Sequence, residues 1–141
     1  MKPGIDTYAK TAVSMTLSQM VLHQPELREE IVAIYYEVFT RFVEATLDDD
    51  IIDSEFLGLA ISDTIDCGLR ELLPIIKELY DKHYVSIGIN GDYNEVVKLF
   101  DKQPSYSPMK EIFTIYEIYD DIVKNWWGYN MEKDQVNFLV E

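Results

Sequence analysis

Between Phe56 and Phe100 the chain reads FLGLAISDTIDCGLRELLPIIKELYDKHYVSIGINGDYNEVVKLF, a stretch that fits one kind of structure. Two amphipathic helices meet at Gly68, and a short loop leads into a third. Leu57, Ala60, Ile61, Thr64 and Ile65 recur at the spacing of one helical face, and Leu72, Leu73, Ile76, Leu79 and Tyr80 form a second beyond the glycine. One such pair cannot cover its own apolar faces, so the flanking segments are expected to stack on either side. The expected fold class is all-α: a HEAT/armadillo-like α-α superhelix of about three stacked helical hairpins, as one helical-repeat domain over residues 1–141.

Taken in order, start and stop signals place helices near 6–23, 26–46, 54–67, 70–83, 92–101 and 108–127. Asp6 is the expected cap of the first, whose inward positions read Ala9, Ala12, Val13, Thr16, Leu17 and Met20. Pro25 suits the first turn of the second, which carries Leu27, Ile31, Ile34, Tyr35, Val38, Phe39 and Phe42. The short link between them predicts an antiparallel hairpin. Asp53 or Ser54 caps the third helix, and Gly68 supplies its left-handed stop. Asp92 and Glu95 have the spacing of a capping box. Tyr84 to Gly91 alternates like a strand at Val85, Ile87 and Ile89, but Gly88 and Gly91 break it, and a packed loop is expected. Pro104 and Pro108 bracket a linker, after which Met109, Ile112, Phe113, Tyr116, Tyr119, Val123 and Trp126 form the stripe of a last helix ended by Gly128. The expected core comprises Leu17, Ile34, Val38, Phe42, Ala60, Ile61, Ile65, Leu72, Ile76, Leu79, Ile112, Tyr116 and Tyr119.

A faint echo accompanies this pattern. Ala9, Ala12, Val13, Thr16 and Leu17 match Leu57, Ala60, Ile61, Thr64 and Ile65 at a constant offset of 48. That is near the roughly 40 to 47 residues of HEAT and armadillo units. The features AISDTIDCG, LRELLPIIKELYDK and INGDYNEV, within Asp6 to Phe100, resemble a bacterial family built from HEAT-like helical pairs. The resemblance implies an α-α superhelix and supplies no catalytic residues. Some members carry a cysteine-rich zinc motif at the C-terminus; here Cys67 is the only cysteine, and the aromatic segment from Ile112 to Trp127 stands in that place.

Charge narrows the function classes. Twelve basic residues against twenty-six acidic ones leave a formal charge of -14, which argues against nucleic-acid binding. Between Arg41 and Arg70 lie Glu44, Asp48, Asp49, Asp50, Asp53, Glu55, Asp63 and Asp66 with no lysine or arginine among them. Such a surface steers a basic partner. The segment Asp48 to Glu55 lacks the alternation and central glycine of a calcium loop, so no metal is expected at Asp48, Asp49, Asp50 and Asp53. His23 and His83 belong to no HExxH or Glu-x-x-His motif, and no nucleophile elbow or phosphate loop appears. No cofactor is expected. No run reaches the roughly 18 apolar residues of a membrane span, and no signal-peptide core opens the chain; a cytoplasmic protein is the expectation.

The adjacent aromatics Tyr35–Tyr36 and Trp126–Trp127 cannot both lie at the centre of one helical face, so one of each pair is expected at an edge or exposed. The reading is therefore a non-enzymatic protein-protein interaction module, with Asp48, Asp49, Asp50, Asp53, Tyr36, Trp126 and Trp127 as candidate interaction residues. A homodimer through the C-terminal helix is part of this expectation. Two alternatives stand beside it: an inhibitor or immunity-type protein masking a basic nuclease or DNA-binding partner, and an enzyme with an unrecognised site.

Overall fold

The structure, a computed structural model, describes residues 6–126, and every regular element among them is helical. The helices are α1 (Thr7–His23), α2 (Arg28–Glu44), α3 (Ser54–Asp66), α4 (Leu73–Asp81), α5 (Ile87–Asn90), α6 (Tyr93–Asp101) and α7 (Ile115–Asn125). Short 3₁₀ turns occupy Pro25–Leu27, Leu47–Asp49 and Arg70–Leu72. The chain divides into two compact units, one ending at Met109 and the other beginning at Lys110.

Local chemistry sets the helix ends. The Asp6 carboxylate accepts from the Tyr8 N–H at 2.8 Å, and that of Asp53 from the Phe56 N–H at 2.9 Å. Asp92 and Glu95 exchange two bonds of 3.0 Å, so the capping box anticipated from their spacing forms. At the end of α3, Gly68 takes φ 68° while Leu69 N–H reaches Thr64 O and Gly68 N–H reaches Ile65 O, a Schellman stop. The same two-bond pattern ends α4, but there His83 holds the left-handed position, at φ 58°.

In the first unit the most extensive helix packing joins helices two places apart: α1 with α3, α2 with α4 and α3 with α5, with a smaller contact between α4 and α6. The expected α1–α2 hairpin is thus secondary to the α1–α3 contact. Phe39, Leu57, Ala60, Ile61, Leu69, Leu72, Ile76, Leu79 and Val96 are sealed at the centre. Phe42 is buried with them, while Leu17, Val38 and Ile65 pack against this cluster half-buried. Within the expected loop after Tyr84, Val85 is buried, a single helical turn forms at Ile87–Asn90, and Ile87 is exposed.

Helix α1 departs from its expected orientation. Its buried residues are Ser14, Ser18 and Val21, whereas Ala9, Ala12, Val13, Thr16 and Met20 are exposed. The reason is that its polar face has partners waiting in the interior. Ser14 Oγ donates to Asp63 at 2.6 Å and lies 2.9 Å from the Tyr35 hydroxyl, which donates to Ser14 O at 2.8 Å. Lys10 pairs with Asp53, and Thr7 Oγ1 donates to the same carboxylate at 2.7 Å. A buried polar group with a partner costs little, so these contacts outrank the modest apolar surface of alanine and threonine.

The second unit is described through Trp126 and contains α7. The last helix begins at Ile115 rather than at residue 108, because Thr114 and Glu117 form a capping box there and Met109 to Phe113 precede it without helical bonding. Ile112, Tyr116 and Tyr119 are exposed rather than in the core, since α7 has no second described helix in its unit to bury them. Ile34 is also exposed, at 42%, on the flank of α2. Gly128 lies outside the described residues.

Candidate functional site

The acidic segment and the aromatics were the sequence-derived candidates, and the structure distributes them. Asp53 is internal: its carboxylate caps α3, pairs with Lys10 and accepts from Thr7. Burial alone would raise its pKa, but these three donors outweigh it and hold the carboxyl below its ordinary value. Asp49 closes a capping box around Leu47–Asp49, accepting from Thr46 N–H at 2.7 Å and Thr46 Oγ1 at 3.0 Å, which lowers its pKa. Asp48 and Asp50 are exposed, with Asp50 at φ 51° in the left-handed region. Asp63 is engaged by Ser14, and Asp66 accepts from the Tyr106 hydroxyl at 2.7 Å. The expected acidic field is therefore partly consumed by the fold.

Among the described residues no group of three or more His, Cys, Asp or Glu side chains converges to hold a metal ion. Cys67 is buried, its thiol bonded to Asp63 O at 3.2 Å, and burial pushes its pKa up to about 12. A thiol so held is a poor nucleophile. Tyr35 is buried, bonded to Ser14, and burial pushes its phenol well up; its neighbour Tyr36 is 53% exposed. Trp126, at the end of α7, is exposed, and Trp127 lies outside the described residues.

The feature that periodicity missed lies between α1 and α2. Because α1 turns its polar face inward, Ala9, Val13 and Leu17 face Ile34 and Val38 across an apolar groove of about 280 Å³, with Tyr35 and Phe56 also lining it. Val13 is 62% exposed on this surface. The groove adjoins a shallower depression of about 560 Å³ that shares Ile34 and Val38 and continues over Phe42, Ala45 and Ile51. Glu37, Arg41, Glu44 and Asp49 line that second region, with Glu37 and Arg41 paired at 2.8 Å. Electrostatics separates the two ends: α1 contains no carboxylate, although the whole chain carries twenty-six. That absence was a signal available in the sequence.

The groove is a largely apolar depression between two helices, with Lys10, paired to Asp53, and Ser14 as the polar groups on its wall. No family model matches the chain, and neither a curated protein nor a solved structure matches it.

Proposed function

We propose that this chain is a non-enzymatic protein-interaction module of HEAT-like stacked helices. Its docking site is the groove between α1 and α2, and its ligand is an amphipathic helix. The observation that carries this reading is the exposure of an acid-free apolar face on α1 in a chain of charge -14. A contiguous apolar surface is seldom left uncovered on a monomer unless something binds it. The offset of 48 between α1 and α3 supports the same reading. Ala60, Ile61 and Thr64 are buried in α3, while the corresponding Ala12, Val13 and Thr16 are exposed in α1. Of these three exposed residues, Val13 lines the groove. The alternative reading, a charge mimic masking a basic partner, draws less support, because Asp49, Asp53, Asp63 and Asp66 are engaged within the fold.

The test is fluorescence anisotropy with a labelled synthetic helix of about 14 residues, bearing a leucine stripe and a glutamine–lysine far face. Binding to the wild type that is abolished by Val13→Glu supports the docking site. Equal binding by wild type and Val13→Glu, or no binding by either in protein dilute enough to be monomeric, overturns it.

A further inference from the structure

The chain itself contains a helix of the kind this groove receives. On α7, Ile115, Ile118, Tyr119, Ile122 and Trp126 recur at i, i+3, i+4, i+7 and i+11, one uncharged stripe along its whole length. The carboxylates lie off that stripe and are all engaged: Glu117 in the capping box with Thr114, Asp120 with Lys124, and Asp121 with Asn125 at 2.6 Å. We propose that α7 of a second copy of this chain docks in the α1–α2 groove, and that the exchange is reciprocal.

This inference rests on the docking reading above and names the partner. Three observations favour a second copy. The first is electrostatic. Two chains of charge -14 repel each other, so a stable pair must join surfaces free of unpaired carboxylates. The groove lining has none, its one charged side chain, Lys10, being paired with Asp53, and the α7 stripe has none. The second is length. At a rise of about 1.5 Å per residue, the 11 residues of α7 span about 16 Å and the 17 of α1 about 25 Å, so the groove wall accommodates the guest. The third is area. Tyr119 and Trp126 are 67% and 59% exposed, so covering them buries about 100–150 Å² each; Ile115 and Ile118, also exposed, add to this, and the groove wall buries a comparable area. Two reciprocal helix-in-groove contacts therefore reach the order of the ~1,600 Å² of a stable interface. Reciprocity gives a closed two-fold dimer.

The test is light scattering and sedimentation of the full chain over a range of concentrations, with Val13→Glu and Ile118→Glu. Val13 and Ile118 are both exposed, so circular dichroism should show both variants folded. The expected result is a wild-type dimer, two monomeric single variants, and partial recovery of dimer when the two variants are mixed. Recovery follows because the mixture retains one intact groove and one intact α7 in complementary chains. A wild type that stays monomeric overturns the proposal, as does a dimer that survives Val13→Glu, which would join α7 to α7 instead. If the synthetic helix binds while the wild type stays monomeric, the docking site stands and only the second copy is refuted. An Ile118→Glu variant that remains dimeric excludes α7 as the guest.

Discussion

Replacing Ser14 and Val13, neighbours on α1, by alanine tests which face of that helix the fold holds. Ser14 is 3% exposed and its hydroxyl donates to Asp63 at 2.6 Å beside the Tyr35 hydroxyl. Ser14→Ala leaves a part-buried carboxylate without that donor, a loss of about 1–3 kcal/mol. The Tyr35 bond to Ser14 O survives the substitution, so the upper end of that range is the ceiling. Val13 is 62% exposed, so Val13→Ala removes only about half a kcal/mol of burial. The gain in helix propensity, also about half a kcal/mol, offsets it. Both variants are best made in an Ile118→Glu background, where association does not enter. Urea unfolding followed by circular dichroism gives the two values, provided the denaturant slope is unchanged. The expected order is Ser14→Ala well below Val13→Ala in stability. A Val13→Ala loss above about 1 kcal/mol with a neutral Ser14→Ala would place the helix the other way round and refute the reasoning.

Leu79→Ala and Ile76→Ala, at fully enclosed positions, should each cost about 2–5 kcal/mol in the same assay, and losses below half a kcal/mol at both would contradict the central packing. Asp53→Ala removes a cap and strands Lys10, whose side chain is only 9% exposed, and should cost about 3 kcal/mol. Because the folded state lowers the Asp53 pKa, its contribution is present above the unfolded carboxyl value, about 3.9, and is lost as pH falls through the folded value. Stability measured from pH 7 to pH 2 should therefore fall less steeply in Asp53→Asn than in the wild type; identical slopes would contradict this. His83→Gly should stabilise by about 1 kcal/mol, since a glycine takes the left-handed stop without strain. A loss of stability there would show that the imidazole has a structural partner outweighing the strain.

What the sequence reveals is what nearby residues decide. Caps at Asp6, Asp53 and Asp92 and the stop at Gly68 depend on groups a few positions apart, and each forms as its spacing indicates. The start of α7 was equally local. Thr114 followed by Glu117 is a capping box written in the sequence, overshadowed by the more conspicuous Pro108. The orientation of α1 was not legible, because it turns on contacts 21 to 49 residues away, from Ser14 to Tyr35 and Asp63 and from Lys10 to Asp53. Periodicity scores a serine as outward whether or not a carboxylate awaits it. For the same reason Ile112, Tyr116 and Tyr119 were expected in the core and are exposed, and Met109, Ile112 and Phe113 of the expected stripe precede the helix: spacing marks a face to be covered and does not say by what. The candidate site followed these limits, with the acids of the capping turns overvalued and the groove of Ala9, Val13, Leu17, Ile34 and Val38 missed.

The central claim is that α1 keeps its polar face in and offers its apolar face to a ligand helix, and thiol accessibility reads this most directly. Val13→Cys and Ser18→Cys are modified with a neutral aromatic disulfide at high dilution, with the buried native Cys67 as the unreactive internal control. The account predicts rapid modification of the Val13→Cys protein, slowed by the synthetic helix, and protection of the Ser18→Cys protein until it unfolds. Rapid modification at position 18 with protection at position 13 in dilute protein would contradict it.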